Sequence, residues 1–351
     1  MMEKTLPEVC TIQYGFPFDS SKFCSAEGVP LVRIRDVVRG YSETYTTETA
    51  GENYIVKDGD LLIGMDGEFN IAYWKGGRAY LNQRVCRLIP REDVDRDYIF
   101  YYMPKALKAI EDATPFVTVK HLSAKQLSKI LIPLPDMKEQ QRISAVLRSV
   151  DRVIAMRQKE LDELNNLVKS RFIELFGDPV INPKGFPCYT VGEVIDFQGG
   201  SQPDKKFFEY EASPDNIRLI QIRDYKSDKY ITYIPKTMAK RFCTADDIMI
   251  GRYGPPIFQI LKGIEGSFNV ALMKATPKMG NREFIRQFLK QDCLLEYLEG
   301  LSKRTAGQDG IQMDKLKAYP FPYPPMEMQE QFAAFVEQTD KSKLAVQKGL
   351  Q

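Results

Sequence analysis

Two short segments of the chain alternate hydrogen-bonding side chains with apolar ones. Residues 31–36 read LVRIRD, and residues 219–224 read LIQIRD. Alternation with a period of two is typical of a β-strand with one buried face, so the polar side chains should share the other face. These side chains are Arg33, Arg35, Gln221 and Arg223. Arginine and glutamine form paired hydrogen bonds with guanine and adenine edges, which makes both segments candidates for base recognition. Ordinary solvated strand faces have the same pattern.

A second group of polar residues lies beside two glycines and ahead of later strands. The neighbours of Gly67 and Gly254 differ completely in side chain, as two domains that read different targets would require. Ordinary divergence between two copies gives the same result. Lysine and arginine residues in such loops favour phosphate contacts. The candidates are Met65, Asp66, Glu68, Lys120 and His121 in the earlier part of the chain, and Arg252, Tyr253, Lys303, Arg304 and Gln308 in the later part.

No catalytic motif accompanies these residues. The chain has neither a Walker A sequence nor a Gly-x-Gly-x-x-Gly loop. The NPKG sequence at 182–185 lacks the second proline and the aromatic residue of an adenine methyltransferase loop. The sole histidine, His121, has no cysteine or carboxylate cluster around it, and the six scattered cysteines form no Cys-x-x-Cys pair. We therefore predict no catalytic residues and no metal site.

The chain repeats itself at a period near 188 residues. A shift of 188 relates LVRIRD to LIQIRD, and a shift of 187 aligns residues 60–90 with their counterparts without a gap. A shift of 189 relates IPLPDMKEQQRI at 132–143 to FPYPPMEMQEQF at 321–332. Because three matches occur in the same order, the sequence predicts two related domains of short strands and Gly/Pro turns.

A long helix is predicted between the two copies. Residues 138–176 contain no Gly or Pro, and apolar residues recur there every seven residues from Leu147 to Leu175. About 40 residues at 1.5 Å per residue span about 60 Å, which favours a spacer over an ordinary core helix. A second helix, at 325–351, is shorter.

The unequal helices predict an uncovered apolar stripe. If the helices run antiparallel, the second one pairs with Leu161 and the residues after it but ends before the start of the first helix. Exposed stripes of this kind mark interfaces. The predicted partner interface consists of Ile143, Leu147, Val150 and Ile154.

Composition narrows the class of protein. The 351 residues carry a net charge of only +2, so any nucleic-acid surface must be a local patch. No signal peptide opens the chain, and no apolar run approaches the length that crosses a membrane, which predicts a cytoplasmic protein without membrane contact. We predict globular domains at 1–135 and 178–324, with helices at 136–177 and 325–351.

Several of these segments resemble the specificity subunits of type I restriction–modification enzymes. The central repeat of that family is similar to LPDMKEQQRISAVLRSVDRVI and the later LDELNNLVKSRFIELFGDPVINPKGFP. The starts of its target-recognition domains are similar to LPEVCTIQYGFPFDSSKF and VGEVIDFQGGSQP, and their middles to DGDLLIGMDG and ADDIMIGRYG. The resemblance covers nearly the whole chain.

The resemblance implies an α+β protein with two duplicated α/β target-recognition domains. Each would read half of a split site in double-stranded DNA, with long antiparallel coiled-coil-like helices holding them apart in a pseudo-two-fold arrangement. The helices would dock methyltransferase subunits, and restriction subunits would join that core. The chain itself would be non-catalytic and without a cofactor, whereas S-adenosylmethionine, ATP and magnesium are expected on the partner subunits. The short second helix departs from the family pattern and leaves self-association through the helices open.

Two other functions remain to be weighed. One is a stand-alone DNA-binding nuclease with an unrecognised active site, which cleavage of DNA by the purified chain with magnesium would support. The other is a coiled-coil scaffold without a DNA role, which two duplicated α/β modules disfavour.

Overall fold

Two compact units make up the chain in the computed structural model, which describes residues 2–114, 120–253, 256–302 and 310–350. The first unit covers residues 1–155 and the second covers residues 156–351. The strands of the first unit are β1 (Met2–Thr5), β2 (Cys10–Tyr14), β3 (Phe23–Cys24), β4 (Val29–Val32), β5 (Tyr45–Thr46), β6 (Ile55–Val56), β7 (Leu61–Gly64), β8 (Asn70–Tyr73), β9 (Ala79–Leu81), β10 (Val85–Pro90) and β11 (Leu131–Leu134). Its helices are α1 (Leu6–Val9), α2 (Ile34–Arg39), α3 (Arg96–Ala113), α4 (Ala124–Ser128) and the start of α5 (Met137–Phe176).

Strand β7 lies at the centre of the first unit because both of its faces are buried. It belongs to an antiparallel sheet in the order β2-β10-β7-β8. On one face, Leu61 and Ile63 join the core that packs against α3; on the other, Leu62 packs with Trp74 and Val32. A second sheet has the order β3-β5-β4-β9-β6, in which β4 and β9 run parallel, and β1 pairs with β11.

The second unit repeats this topology. Its strands are β12 (Cys188–Thr190), β13 (Ile195–Gly199), β14 (Asn216–Ile220), β15 (Tyr233–Pro235), β16 (Phe242–Cys243), β17 (Ile248–Gly251), β18 (Gln259–Lys262), β19 (Gly266–Phe268), β20 (Leu272–Pro277) and β21 (Pro320–Pro322). Its helices are α6 (Val191–Val194), α7 (Arg282–Leu289), α8 (Asp292–Ser302), α9 (Met313–Ala318) and α10 (Met326–Lys348). The sheet orders are β13-β20-β17-β18 and β15-β14-β19-β16, again with one parallel pair, β14 with β19. The predicted fold class, with two duplicated α/β domains, is confirmed.

The two long helices meet within the second unit. Helix α10 begins beside the end of α5, where the Phe332 ring contacts the rings of Phe172 and Phe176 at centroid distances of 5.6 and 5.4 Å. Further along, the Arg171 guanidinium lies 5.9 Å from the Phe335 ring centroid, so the helices run antiparallel. Helix α5 has 40 residues and α10 has 23, as the unequal lengths in the sequence predict.

Each long helix is anchored to its own unit by a buried glutamine. Gln140 on α5 accepts a hydrogen bond from the backbone N–H of Asp95 at 2.9 Å and donates one to the Pro135 carbonyl at 2.9 Å. Gln329 on α10 makes the equivalent bonds, with the N–H of Asn281 at 2.9 Å and the carbonyl of Pro324 at 2.8 Å. The duplication therefore extends to the joint between helix and domain.

The strand predicted over 31–36 is wrong in its second half. Strand β4 ends at Val32, and α2 begins at Ile34. The Asp36 carboxylate accepts the backbone N–H of Arg33 at 2.9 Å, and this cap starts the helix. Arg33 is therefore the N-cap of α2 and Arg35 lies in its first turn, so the two residues do not alternate along a strand face.

The same correction applies to residues 219–224. Strand β14 ends at Ile220, and a short 3₁₀ turn covers Ile222–Tyr225. The Asp224 carboxylate accepts the N–H of Gln221 at 3.0 Å, so Gln221 and Arg223 also lie on a turn. In both segments, the acidic residue four positions after the last strand residue is the sequence signal for this cap.

Among the described helices, none combines the length and apolar character needed to cross a membrane.

Candidate nucleic-acid interface

The turn after the parallel strand holds one arginine in the same way in both units. Arg35 donates a hydrogen bond from Nη2 to the hydroxyl of Thr44 at 3.0 Å, and Arg223 donates one to the hydroxyl of Thr232 at 2.9 Å. Both threonines are buried, whereas both arginines are exposed. Each guanidinium is therefore fixed at one end and free to bind a ligand with its remaining donors.

A cleft in the first unit gathers several of these donors. Its volume is about 510 Å³. The lining residues are Phe18, Ser20, Phe23, Arg33, Ile34, Arg35, Asn82, Gln83 and Arg84. Among them are three guanidinium groups and no carboxylate, although Asp36 lies 3.7 Å from Arg35 and Asp66 lies 3.5 Å from Arg84. Arginine and amide side chains at such a surface can hydrogen-bond to base edges and to phosphate oxygens.

Sequence reasoning found Arg33 and Arg35 in this cleft but missed Gln83 and Arg84. Both missed residues are exposed in the turn between β9 and β10. They lie far from LVRIRD in sequence, and only the parallel pairing of β4 with β9 brings them together. The repeat gave no signal either, because their counterparts are Val270 and Ala271.

The lone histidine has partners that are distant in sequence. His121 Nδ1 lies 2.5 Å from a carboxylate oxygen of Asp66, and Arg84 Nη1 lies 3.3 Å from the same nitrogen. Arg84 Nε is 3.5 Å from the other Asp66 oxygen. The sequence did not indicate this single carboxylate partner of His121, because Asp66 lies 55 residues earlier in the chain. In this cluster Asp66 orients His121 and Arg84, which are both half exposed.

The other first-unit candidates differ in their access to a ligand. Met65 is 4 % exposed and belongs to the core, so its prediction as a DNA contact is wrong in this structure. Lys120 donates from Nζ to the Glu111 carbonyl at 2.5 Å and is mostly enclosed. Glu68 is exposed, but it brings negative charge.

The second unit presents a different set of side chains. Gln221 donates to the Thr232 hydroxyl at 3.0 Å, beside Arg223. Arg252 lies 5.3 Å from the ring centroid of Tyr253, which is about half exposed. Burial raises the pKa of the Asp224 carboxyl, against the opposing effect of the hydrogen bond it accepts from the Gln221 N–H. The predicted contacts Lys303, Arg304 and Gln308 lie outside the described residues.

One backbone bridge occurs in both units with unrelated side chains. Asp66 pairs with His121 across an isolated β-bridge, and Tyr253 pairs with Gly310 in the same manner. The two bridges are related by shifts of 187 and 189 residues, as the repeat requires. Equivalent positions thus carry an acid and a histidine in one unit and an aromatic residue and a glycine in the other.

No group of three or more His, Cys, Asp or Glu side chains within the described ranges is arranged to hold a metal ion. The candidate interface offers hydrogen-bond donors and positive charge.

A family model covers almost the entire sequence. The model for the type I restriction modification DNA specificity domain matches residues 1–166 and again residues 183–351. The type I restriction enzyme EcoBI specificity subunit of Escherichia coli is 40 % identical over 167 residues, which is 47 % of this chain and 35 % of that protein. The MjaVIII specificity subunit of Methanocaldococcus jannaschii is 23 % identical across 89 % of this chain and 82 % of its own length.

Solved structures show the same fold. The type I restriction–modification S subunit from M. genitalium has a TM-score of 0.56 and 13 % identity, and the match covers 99 % of this chain and 91 % of that one. A second structure, which describes assembly and conformational transition of a type I system, has a TM-score of 0.54 and 18 % identity over 99 % of this chain and 92 % of its own.

Proposed function

Because the chain belongs to the DNA specificity family of type I restriction–modification systems, we propose that it recognises a split sequence in double-stranded DNA, one half with each unit. The observation that carries this proposal is the duplicated turn with its exposed arginine, Arg35 or Arg223, held by a buried threonine. Each unit surrounds that arginine with different polar side chains. One backbone with two sets of side chains is what recognition of two different half-sites requires.

Partner subunits would dock on the middle of α5. Leu147 is 36 % exposed there, and Val150 and Ile154 are each 48 % exposed, whereas Ile143 packs partly against the first-unit core. Leu161 and Val168, further along the helix, are buried. A monomer rarely exposes a continuous apolar stripe of this kind, so it fits an interface with methyltransferase subunits.

In this proposal the chain contributes recognition, and its partners contribute chemistry. S-adenosylmethionine would bind the methyltransferase subunits, and ATP and magnesium would act on the restriction subunits that join them. Such a complex would work on DNA in the cytoplasm. The nuclease alternative has no support from the related proteins.

Methylation mapping tests the proposal. The chain is expressed with the methyltransferase subunits of its own host in cells that lack N6-adenine methylation, and methylated positions are sequenced. We expect one motif with two defined halves around a spacer of unspecified sequence. A contiguous motif, or cleavage of DNA by the purified chain with magnesium, would contradict it.

Docking has its own test in the double variant Leu147→Gln with Ile154→Gln. We expect co-purification of the methyltransferase subunit to fall while both units keep their fold. The matched control, Leu167→Gln with Ile173→Gln, removes equally exposed apolar side chains from the same helix outside the predicted interface. If the first variant unfolds the chain and leaves association unchanged, these residues are internal core.

A further inference from the structure

Two equivalent backbone positions are joined by a hydrogen bond in each unit, and one of the two carries an arginine. The arginine is the hydrogen-bond acceptor residue in the first unit and the donor residue in the second. In the first unit the N–H of Met65 donates to the carbonyl of Arg84 at 3.0 Å. In the second unit the N–H of Arg252 donates to the carbonyl of Ala271 at 2.9 Å. A shift of 187 residues relates both pairs. Arg84 is therefore equivalent to Ala271, and Arg252 is equivalent to Met65.

The residue on the neighbouring strand differs between the units in a way that fits the different positions of the two arginines. In the first unit both Met65 and Tyr14 pack with the core, so Arg84 is the member of the Met65–Arg84 pair that lines the first-unit cleft. The strand position of Tyr14 is occupied in the second unit by Gly199, whose Cβ would lie 3.8 Å from Nη1 of Arg252. The missing side chain leaves room for Arg252 to extend along the sheet.

Both arginines reach the same part of their site. Arg252 donates from Nη1 to the carbonyl of Val270 at 3.5 Å. Val270 is the counterpart of Gln83, which lines the first-unit cleft beside Arg84. Two guanidinium groups thus approach equivalent loops from different backbone positions and hence in different directions.

Arg35 and Arg223 show the opposite behaviour. They occupy equivalent positions, donate to equivalent threonine hydroxyls and immediately precede equivalent acidic caps. Residues with identical geometry make the same contact in both units. The component that two half-sites of different sequence have in common is the phosphate backbone.

We propose that Arg84 and Arg252 are specificity-determining residues that each read a guanine in one half-site, whereas Arg35 and Arg223 contact phosphate in both. Guanine is the base whose O6 and N7 atoms match the arginine fork. Thr44 and Thr232 are positioning residues, because they orient Arg35 and Arg223 without reaching the DNA. This assignment rests on the proposed function and adds the residues that discriminate.

The methylation map of arginine variants tests the assignment in the complete complex. Arg84→Ala should relax one guanine position in one half-site, and Arg252→Ala should relax one in the other half-site. The expected loss of discrimination at that position is about 5- to 150-fold, the range for one bidentate arginine–base contact. Arg35→Ala and Arg223→Ala should lower methylation at every site and leave the motif unchanged.

Lysine variants separate base contacts from phosphate contacts. Lysine keeps the charge but lacks the planar fork, so Arg84→Lys should relax the motif as alanine does, while Arg35→Lys should keep most of the methylation. Thr44→Val should reproduce the loss seen with Arg35→Ala, and Thr44→Ser should restore it. Arg78→Ala, which removes an exposed arginine outside the first-unit cleft, is the control and should change neither readout.

Two results would overturn the assignment while leaving the proposed function intact. One is an unchanged motif with Arg84→Ala and Arg252→Ala; the other is a motif that relaxes with Arg35→Ala. If the wild-type complex methylates no motif at all, the proposed function fails, and the assignment fails with it.

Discussion

The recognition regions of the two units share a backbone and differ in the side chains attached to it. Both have an antiparallel four-stranded sheet of the same order, an equivalent parallel pair in the other sheet and the same bridge between distant segments. At that bridge, Asp66 and His121 occupy one unit, and Tyr253 and Gly310 occupy the other. The two units therefore share a backbone arrangement, while the side chains at equivalent positions differ.

The contacts between each long helix and its unit also differ between the two units. Gln140 and Gln329 are equivalent anchors, but the apolar residues that follow them differ in burial. Phe332 is fully buried among aromatic rings, whereas its counterpart Ile143 is partly buried. The second unit gains this packing because the end of α5 joins the start of α10 there.

The largest expected effect follows from that difference. Phe332→Ala should destabilise the second unit by about 3–5 kcal/mol, because it removes a buried ring that touches Phe172 and Phe176. Ile143→Ala should cost the first unit less, about 1–2 kcal/mol, because its side chain is only partly buried. Hydrogen exchange measured for each unit separately checks both values. Equal losses in the two units would show that the joints are energetically the same.

One glycine in each unit lies so close to a neighbouring backbone segment that a side chain there would clash. A Cβ on Gly15 would lie 2.1 Å from the carbonyl oxygen of Asn82, and one on Gly200 would lie 1.9 Å from that of Asn269. Alanine at either position should therefore cost about 3 kcal/mol, since a backbone strand must move. Denaturant unfolding measures the cost. Gly300→Ala is the control, because Gly300 lies in a helix with open space around it and alanine there should be neutral or slightly stabilising.

The sequence predicts the strand and helix topology far better than it predicts which side chains line the candidate interface. The repeat predicts the duplicated topology, and the glycine- and proline-free run predicts α5, because both depend on periodic patterns along the chain. Arg84 was missed because its place in the cleft depends on pairing between β4 and β9. The burial of Met65 was missed because polar neighbours in sequence say little about which side chain faces the core. Such placements arise from long-range packing.

The glutamine anchors should respond alike in both units. Gln140→Leu and Gln329→Leu each leave an N–H and a carbonyl that are at least partly buried without their glutamine partner, which should cost about 2 kcal/mol. Gln141→Leu is the matched control, since Gln141 is exposed next to Gln140 and its loss should be nearly neutral. Unfolding curves of the three variants give the comparison. A cost confined to one unit would mean that the joints are not equivalent.

A pH-dependent effect should distinguish the first unit from the second. Partial burial by itself raises the pKa of Asp97, but hydrogen bonds from Tyr73 and Arg148 outweigh it and lower the pKa below its ordinary value. The stabilisation is thus present above about pH 4 and is lost as the pH falls through the folded-state pKa.

Arg148→Ala should therefore destabilise the first unit only slightly at neutral pH, because Arg148 is mostly exposed and solvent screens its ion pair with Asp97. The difference from the wild type should vanish in acid. The counterpart of Asp97 is Glu283, which pairs within its own helix with Arg286, so no such link is expected in the second unit. Chemical denaturation at pH 7 and at pH 3 decides the point.

Binding to scrambled duplexes tests most directly the proposal that each unit reads one half of a split DNA site. Fluorescence anisotropy compares a duplex carrying the mapped motif with three others, in which the first half, the second half or the spacer is scrambled. Scrambling either half should weaken binding by about 100-fold or more, because several base contacts worth about 1–3 kcal/mol each are lost. Scrambling the spacer should leave the affinity unchanged. If one half alone sustains full affinity, or if the spacer sequence matters as much as the halves, the account is contradicted.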